Sequence, residues 1–311
     1  MGVQPPRVER MTPWKSGMGN ESTDNPVHLY KYRSLKGEAK ERTKNIITES
    51  TIWFSSPADF NDPFDCSPVL SLQESRAERL RYAASLLRSN APSMDRNQRR
   101  QMLRFTEQRL DSPEVFDVLR EQRALSVNFV GILSLSALPN QVLMWSHYAE
   151  AHTGICLRFN RSSPWAFPFI AAQKVIYSAE RPVLNPITDT DPDNAQALVD
   201  KVILTKADFW AHEEEWRVMS HPNSSIGMGG PGLTTFAPRA LDGIILGACI
   251  SDADAAAVAR WTAVRKYPVE LLRAQPDSDR FRINIVPFTA PSNNERILEI
   301  SGSKRPEATD R

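Results

Sequence analysis

The chain has 311 residues, of which 41% are hydrophobic and 24% are charged, a composition typical of soluble globular proteins. Its 38 Lys and Arg residues nearly balance its 37 Asp and Glu residues, so no overall charge attracts it to nucleic acid or to an anionic membrane. No apolar run approaches the roughly 20 residues of a membrane-spanning helix, and the first residues lack the apolar centre of a secretory signal.

The chain is expected to form one α+β domain over residues 27–290. Residues 1–26 are rich in Pro, Gly, Ser and charged residues without periodicity, so the sequence predicts a disordered tail there and another at 291–311. Residues 71–126 carry apolar residues three to four apart between charges, which predicts a helical insertion between strands. Breaks at 91–93 and 111–114 divide this insertion into three helices, the third beginning at residue 114.

Outside the insertion, strand-like apolar runs alternate with helical patterns. The predicted elements, in chain order, are a strand at 27–34, a helix at 37–49, strands at 52–56 and 128–138, a helical turn at 145–150, strands at 153–159 and 174–178, a long helix at 191–212 that runs into an extended segment at 216–219, a strand at 241–248, a helix at 251–265, and strands at 268–274 and 281–288. Ser251, with Asp254 three residues on, is the expected N-cap of the helix at 251–265.

Three cysteines, Cys66, Cys156 and Cys249, lie far apart and form no Cys-x-x-Cys pair. Their number and spacing favour neither a zinc site nor a disulfide framework. Scattered cysteines with apolar neighbours are typical of a reducing compartment, where they usually fill the core. We therefore expect a cytoplasmic protein.

The first stretch suited to chemistry lies on the predicted strand at 27–34. Arg33 can offer a two-point fork to phosphate, and Tyr30 and Tyr32 can offer an aromatic face to a base. The alternative is an edge strand whose arginine is solvated, and for this stretch alone that alternative is favoured.

The second stretch is the aspartate loop, residues 59–65, which follows the strand at 52–56. Its acidic residues are Asp59, Asp62 and Asp65. Carboxylates of this kind can bind Mg²⁺ or Ca²⁺, but the spacing departs from the EF-hand pattern. We favour an array of turns in which aspartate side chains accept hydrogen bonds from nearby backbone amides, while Phe60 and Phe64 fix the loop to the core.

The third stretch, residues 145–152, holds two histidines. His147 and His152 are five positions apart, so they do not share one face of a helix and a metal pair is weakly supported. Single histidines of this kind are most often hydrogen-bonded structural groups.

The fourth stretch contains Glu213 and Glu215. If the backbone is extended there, the two carboxylates share one face, about 7 Å apart along the strand. Such a pair can shift a pKa, hold a sugar hydroxyl or stabilise a developing cation. Trp210 and Trp216 flank the pair, which favours a position near a core or pocket over a solvated helix end.

Taken in order, LYKYRS, IWFSSPADFNDPFD, WSHYAEAHTGICLRF and WAHEEEWRV closely resemble a widespread bacterial domain family of unknown function. The resemblance covers about residues 28 to 250, and its marks are a Tyr-x-Tyr opening, a Phe-Asn-Asp-Pro-Phe loop, a Trp-x-x-Tyr-Ala turn and a Glu-x-Glu-Trp-Arg segment.

The layout is also similar to that of the ADP-ribosyltransferases. That superfamily has a split mixed or antiparallel sheet, here carrying a helical insertion, and binds NAD through three strand-borne motifs. These are an Arg or His on the first strand, a Ser- or Tyr-centred motif on a following strand, and a Glu, often Glu-x-Glu, at a later strand. Arg33, the pair Ser55-Ser56, and Glu213 with Glu215 stand at the matching positions, although Pro57 follows where a Ser-Thr-Ser run would continue.

The resemblance implies a role for each matching residue. Glu215 would be the catalytic carboxylate that stabilises the oxocarbenium-like ribose as nicotinamide leaves, and Glu213 would help to position the acceptor. Arg33 would hold the pyrophosphate of NAD, and Tyr32 would face the nicotinamide or the adenine. Ser55 or Ser56 would supply the serine hydroxyl.

His147 and Tyr148 have no counterpart among those motifs and are expected to line the same cleft. The resulting hypothesis is an enzyme that cleaves NAD and transfers ADP-ribose to a protein or nucleic acid, as a toxin or phage-defence effector. NAD is then a substrate, and neither a metal nor a membrane partner is expected. Two alternatives remain: a metal-dependent nuclease that uses Asp59, Asp62, Asp65, Glu215 and a histidine, and a non-catalytic binding or sensor module.

Overall fold

The structure, a computed structural model, describes residues 24–71, 75–109, 127–162, 165–185, 189, 198–221 and 229–288. Its strands are β1 (His28–Arg33), β2 (Thr51–Phe54), β3 (Val69–Leu70), β4 (Gly131–Ser136), β5 (Ile155–Asn160), β6 (Gln173–Lys174), β7 (Ile176–Ser178), β8 (Val183–Leu184), β9 (Thr205–Ala207), β10 (Glu215–Ser220), β11 (Gly232–Thr235), β12 (Leu241–Leu246), β13 (Glu270–Pro276) and β14 (Ile283–Pro287). Its α-helices are α1 (Glu38–Glu49), α2 (Arg76–Asn90), α3 (Arg96–Arg109), α4 (Val142–Tyr148) and α5 (Asp252–Ala263). Within these described ranges, no helix combines the length and apolar character needed to cross a bilayer.

The main structural unit is an eight-stranded sheet in the order β14-β13-β12-β5-β1-β4-β10-β6. Its neighbouring strands are antiparallel except for β12 and β13, which run parallel. The sheet is therefore mixed, and together with the helices it confirms the α+β class. The described residues also form three two-stranded sheets, β2 with β11, β3 with β8 and β7 with β9.

The large sheet is interrupted between β1 and β4. β1 pairs with β5 along its whole length but with β4 at only one position, Tyr30 opposite Ser136. Nearer the start of β4, the partner of β4 is Ser55 instead of β1. The Ser55 N–H donates to the Ile132 carbonyl at 2.9 Å, and the Ile132 N–H donates to the Ser55 carbonyl at 2.8 Å. A gap between β1 and β4 results, bounded by these two junctions.

One core packs α1 and α5 against the sheet. Ile46 and Ile47 of α1 are buried in it together with Val258 of α5 and apolar side chains from β5 and β12. Burying an aliphatic side chain of this size contributes about 1.5–3 kcal/mol. As predicted, Ser251 begins α5, and its hydroxyl accepts a hydrogen bond from the Asp254 N–H at 3.1 Å.

A second core cluster holds α4 near the gap. Trp145 is fully buried there, donates its indole N–H to the Pro139 carbonyl at 2.8 Å, and lies edge-on to Tyr32 with ring centroids 5.2 Å apart. Buried tryptophans usually find such a partner for the indole N–H. This packing fixes α4, so Tyr148 at its end has a defined position.

The helical insertion is confirmed in its first two helices, α2 and α3. Ser75 and Glu78 form a reciprocal capping box at the start of α2, in which the Ser75 hydroxyl accepts from the Glu78 N–H. The third predicted helix, at 114–124, lies outside the described residues. Both predicted disordered tails fall almost entirely on residues that the structure does not describe.

The long helix predicted at 191–212 is wrong from residue 205 onward. Asp200–Leu204 is one π-helical turn, after which Thr205–Ala207 forms β9 and Asp208–Glu213 forms a 3₁₀ helix; residues 191–197 lie outside the described ranges. The β-branched residues before β9 weaken a helix, and parallel pairing of β9 with β7 supplies an alternative set of backbone hydrogen bonds. The extended segment predicted at 216–219 is confirmed as part of β10.

Candidate functional site

A cleft of about 330 Å³ opens where β1 and β4 separate. Its walls come from β1, β4, the aspartate loop, the end of α4, and the segment that leads into β10. The residues that line it are Tyr30, Lys31, Tyr32, Trp53, Ser55, Asp59, Phe60, Asn61, Asp65, Ile132, Ser134, Leu135, Ser136, Met144, Tyr148, Lys206, Glu213 and Glu215. A concave site with a few convergent polar groups is the usual form of a small-molecule site.

Lys31 spans the gap in the sheet. Its ammonium group donates to the carbonyl of Ser134 on β4 at 2.7 Å, between the two backbone junctions described above. Burial and the neighbouring Arg33 lower the pKa of Lys31 to about 8, although the carboxylates of Glu215 and Glu213 oppose this shift. The cleft therefore contains an amine that is only weakly basic for a lysine.

Lys206 brings the two carboxylates of the fourth stretch together. Its Nζ lies 2.5 Å from Glu213 Oε2 and 2.8 Å from Glu215 Oε2, and all three side chains are buried. The ammonium group also lies 5.2 Å from the centre of the Trp210 ring. Burial alone would lower the pKa of Lys206, but the two carboxylates outweigh it and raise that pKa above its ordinary range.

Arg217 binds Glu215 from the other side. Its Nε donates to Glu215 Oε1 at 2.8 Å, and its Nη2 donates to Glu215 Oε2 at 3.1 Å. The same guanidinium makes a two-point contact with Asp65 and donates to the Ile203 carbonyl. Such planar two-point pairing is a property of Arg that Lys cannot reproduce. Arg217 is fully buried, so these contacts supply the partners that a buried charge requires.

The ionisation of Glu215 follows from these contacts. Burial disfavours its charged form, but the charges and hydrogen bonds of Arg217 and Lys206 outweigh burial and hold its pKa well below its usual range. Its backbone N–H also donates to the Tyr177 hydroxyl at 2.8 Å. Glu215 is therefore a permanently charged group at physiological pH.

Glu213 is oriented from the cleft side by Tyr148. The Tyr148 hydroxyl donates to Glu213 Oε1 at 2.7 Å. Burial and the neighbouring Glu213 carboxylate both raise the pKa of Tyr148, so this hydroxyl remains a donor. Each oxygen of Glu213 thus has a partner, Tyr148 on one side and Lys206 on the other.

The local backbone explains how these carboxylates converge. Glu213 ends the 3₁₀ helix, Glu214 adopts a left-handed conformation with φ of 43°, and Glu215 begins β10. The extended backbone considered from the sequence is therefore absent at Glu213. The turn at Glu214 places the residues on either side of it within reach of one lysine.

The comparisons with known proteins concern this same part of the chain. Residues 144–218 match a family model described as "Protein of unknown function (DUF2971)". The match supports a domain of unknown function. We call these residues the DUF2971 segment; they contain most of α4 together with Lys206, Glu213 and Glu215. No curated protein and no solved structure matches the chain.

The DUF2971 segment includes two of the four sequence motifs, the Trp-x-x-Tyr-Ala turn and the Glu-x-Glu-Trp-Arg segment. The Tyr-x-Tyr and Phe-Asn-Asp-Pro-Phe motifs precede it in the chain. In the structure, residues of all four motifs line the cleft, because β1 and the aspartate loop pack beside the DUF2971 segment.

Several of the site residues predicted from the sequence meet at the cleft. They are Tyr32, Ser55, Tyr148, Glu213 and Glu215. Tyr32 donates its hydroxyl to the Leu138 carbonyl at 2.8 Å, and its side chain is almost completely buried in the second core cluster. The backbone of Ser55 is held by Ile132, which fixes where its side chain begins.

Three predicted residues lie apart from the cleft. Arg33 donates its Nε to the Thr43 hydroxyl of α1 at 3.2 Å. Ser56 begins the 3₁₀ helix at Pro57–Asp59, where its hydroxyl accepts from the Ala58 N–H at 3.3 Å. His147 is exposed and lies edge-on to Tyr148, with ring centroids 6.4 Å apart.

The aspartate loop is tied to the domain by its acidic side chains. Asp62 accepts from the Phe64 N–H at 2.9 Å, which confirms the expected turn at that residue, and from the Trp210 indole at 2.9 Å. Asp65 pairs with Arg217. The expectation that Phe64 is fixed in the core is wrong, since its side chain is 55% exposed and lies 5.5 Å from the Arg181 guanidinium.

Metal ligation was one interpretation of these acidic residues. Within the part of the chain that the structure describes, no group of three or more His, Cys, Asp or Glu side chains is arranged to hold a metal ion. A metal at Asp65 and Glu215 would also have to displace the guanidinium of Arg217, which is buried and bonded to both.

Lys31 and Lys206 were not singled out from the sequence. Lys31 lies between Tyr30 and Tyr32, which were both considered as ligand-binding residues. Lys206 lies within a segment that was predicted to be helical. A lysine in a strand-like apolar or aromatic setting is a usable signal, because lysine is almost never buried without a partner. In the segment VILTKADFW, this signal indicates that Lys206 is buried and therefore has a carboxylate partner elsewhere in the chain.

Proposed function

We propose that the protein is an ADP-ribosyltransferase-like enzyme that cleaves NAD in the cleft between β1 and β4. The observation that carries this proposal is convergence: residues expected, from separate parts of the chain, to act on NAD or to line its site meet at one cleft. They are Tyr32, Ser55, Tyr148, Glu213 and Glu215. Convergence of distant residues on one concave site supports a shared role in binding.

In this proposal Glu215 stabilises positive charge electrostatically. Departure of nicotinamide leaves an oxocarbenium-like ribose, and a fixed negative charge in a water-poor site lowers the energy of such a species. Arg217 and Lys206 keep Glu215 ionised, so it is suited to this task and unsuited to donating a proton.

Glu213 and Tyr148 act together on the acceptor. Glu213 faces the cleft with its Oε1 held by the Tyr148 hydroxyl, so the orientation of this carboxylate is set before any ligand binds. Pre-organised polar groups of this kind avoid reorganisation at the moment of reaction. Tyr32 contributes to the cleft wall beside which the nicotinamide or adenine would lie. Arg33, Ser56 and His147 receive no role in NAD binding.

The proposed reaction also implies a class of acceptor and a cellular setting. The acceptor is a macromolecule, either protein or nucleic acid, and consumption of NAD in the cytoplasm suits a toxin or a phage-defence effector. The three cysteines, which are free thiols in the structure, are compatible with a reducing compartment.

A second candidate is a non-catalytic binding or sensor module. One observation favours it: both oxygens of Glu215 already accept hydrogen bonds from Arg217 or Lys206. A carboxylate bonded in this way can be an anchor for the sheet instead of a partner for a substrate.

One experiment separates these candidates. The purified full chain is incubated with NAD labelled in its adenylate portion, with and without cell lysate, and both free nicotinamide and label bound to macromolecules are measured. Nicotinamide release with label transfer supports the proposed transferase, whereas release without transfer indicates an NAD hydrolase. NAD binding by calorimetry without release indicates a binding module. If the protein neither binds nor cleaves NAD, the proposal fails.

A further inference from the structure

We infer that Lys31 is a nucleophilic amine that forms an imine with aldehydes entering the cleft. This inference goes beyond cleavage of NAD and does not depend on it. It concerns a residue for which neither the motifs nor the family resemblance provides a role.

The position of Lys31 distinguishes it from the other buried lysine of the cleft. Lys206 is surrounded by carboxylates, whereas no carboxylate of the described residues lies within ion-pair distance of Lys31 Nζ. Lys31 is half-buried, lines the cleft, and donates only to the neutral carbonyl of Ser134 at 2.7 Å. An amine held by one neutral acceptor can lose a proton without breaking an ion pair.

The electrostatic surroundings favour the neutral amine. Burial and Arg33 lower the pKa of Lys31 to about 8, with a smaller contribution from Lys206, while Glu215 and Glu213 act in the opposite direction. An ordinary exposed lysine has a pKa of about 10.4. Desolvation beside other cations is an established way to activate a lysine as a nucleophile.

At Lys31 Nζ itself, a neutral carbonyl group fits better than an anionic group. An anionic group in direct contact with this amine would favour the charged ammonium, which burial disfavours. The neutral carbonyl of an aldehyde avoids this effect. Tyr30 and Tyr32, which flank Lys31 on β1, contribute atoms to the lining of the same cleft.

The chemistry is a condensation. The lone pair of the neutral Lys31 amine attacks the carbonyl carbon, a C–N bond forms, and the π electrons of the C=O bond move to oxygen. Transfer of a proton from nitrogen to oxygen gives a carbinolamine, and loss of one water molecule gives the imine. No oxidant or reductant is consumed in these steps.

Reductive trapping tests the inference on the wild-type protein. The full chain is treated with a limiting amount of glycolaldehyde and cyanoborohydride at pH 7.5, where hydride from the reagent converts the imine to a stable secondary amine. Peptide mass mapping then compares Lys31 with Lys36, an exposed lysine paired with Glu150. We expect labelling at Lys31 to be about tenfold faster than at Lys36, because burial and Arg33 keep a substantial fraction of the Lys31 amine neutral at this pH.

Two further measurements complete the test. The labelling rate at Lys31 should rise with pH up to about 8 and then level off as its amine becomes fully neutral. The Lys31→Arg variant keeps a cationic donor for the Ser134 carbonyl and should lose the label in the cleft. Equal or slower labelling at Lys31 than at Lys36 in the wild-type protein would overturn the inference, whether or not the variant folds. Nicotinamide release is measured separately, so failure here leaves the proposed NAD chemistry unaffected.

Discussion

Arg217 and Asp65 form a two-point ion pair, with Nη1–Oδ1 at 2.9 Å and Nη2–Oδ2 at 2.6 Å. The arginine lies on β10 and the aspartate in the loop that follows β2, so the pair joins two separate parts of the chain beside the cleft. Both side chains are almost completely buried. The loop is therefore held by a charge interaction in addition to its turns.

Replacing one partner of this pair is expected to destabilise the domain. Asp65→Asn leaves Arg217 with a buried charge that is only partly compensated, which typically costs about 3–5 kcal/mol in free energy of unfolding. Urea denaturation measures the change. Asp59→Asn, in the same loop but exposed, should stay within about 0.5 kcal/mol of the wild type. Equal effects of the two substitutions would contradict the structural role of Asp65.

Lys206 is also expected to be essential for the stability of the domain. Lys206→Met removes the ammonium group shared by Glu213 and Glu215, leaving two buried carboxylates close together, and should cost about 3–5 kcal/mol. The control is Lys201→Met, which removes a partly exposed ion pair with Asp189 and should cost about 1 kcal/mol or less. Chemical denaturation of both variants checks this, and a stable Lys206→Met protein would show that the network tolerates unpaired carboxylates.

The charge network also predicts how stability depends on pH. The pKa of Glu215 is lower in the folded protein than in the unfolded chain, so the unfolded state binds more protons as the pH falls. The stabilisation is complete above about pH 4.5, the usual pKa range of a glutamate, and declines as the pH falls further toward the folded-state pKa. Unfolding free energies at pH 5 and pH 3.5 should therefore differ less for Glu215→Gln than for the wild type. An unchanged difference would indicate that Glu215 is not held in its ionised form.

A close backbone approach between the DUF2971 segment and β1 gives another prediction. A Cβ on Gly154 would lie 2.2 Å from the Arg33 carbonyl oxygen on β1, a distance that requires the backbone to shift. Gly154→Ala should destabilise the domain by about 1–3 kcal/mol or more through this overpacking. Gly229→Ala, where nothing lies within 4 Å of the added carbon, is the matched control. Thermal unfolding of both variants tests the contact, and a Gly154→Ala variant as stable as its control would contradict it.

Elements defined by local signals could be predicted from the sequence. The start of α5 follows from Ser251 and Asp254, which meet within one turn. The strand β1 follows from alternating side-chain character and its aromatic residues, and β5 and β12 follow from short apolar runs; neither signal requires knowledge of the partner strands. Burial was expected for all three cysteines; it is confirmed for Cys66 and Cys156 and wrong for Cys249, which is exposed.

The cleft depends on interactions between distant residues and could be predicted only in part. The residue types of Glu213 and Glu215 marked them as candidates, but their meeting at Lys206 requires the left-handed turn at Glu214 and the pairing of β9 with β7. Sequence patterns do not encode such long-range pairing directly.

The different positions of Arg33 and Lys31 relative to the cleft also depend on long-range strand pairing. Both are cations on β1, and the motif resemblance favoured Arg33. The gap between β1 and β4 lets Lys31 reach the Ser134 carbonyl, while Arg33 contacts α1 through Thr43. Which of two neighbouring cations reaches a cleft depends on where the sheet opens, and that is a property of the whole sheet.

The most direct test of the proposed NAD chemistry compares two adjacent carboxylates. Nicotinamide release from NAD is measured for the wild type, Glu215→Gln and Glu214→Gln, in the presence of cell lysate, after circular dichroism has shown that each variant is folded. We expect nicotinamide release by the wild type. Release should fall at least about 100-fold in Glu215→Gln, because the fixed charge is removed. Release should stay near the wild-type rate in Glu214→Gln, because the Glu214 side chain does not line the cleft. Release that persists in folded Glu215→Gln, or no release and no NAD binding by the wild type, would contradict the account.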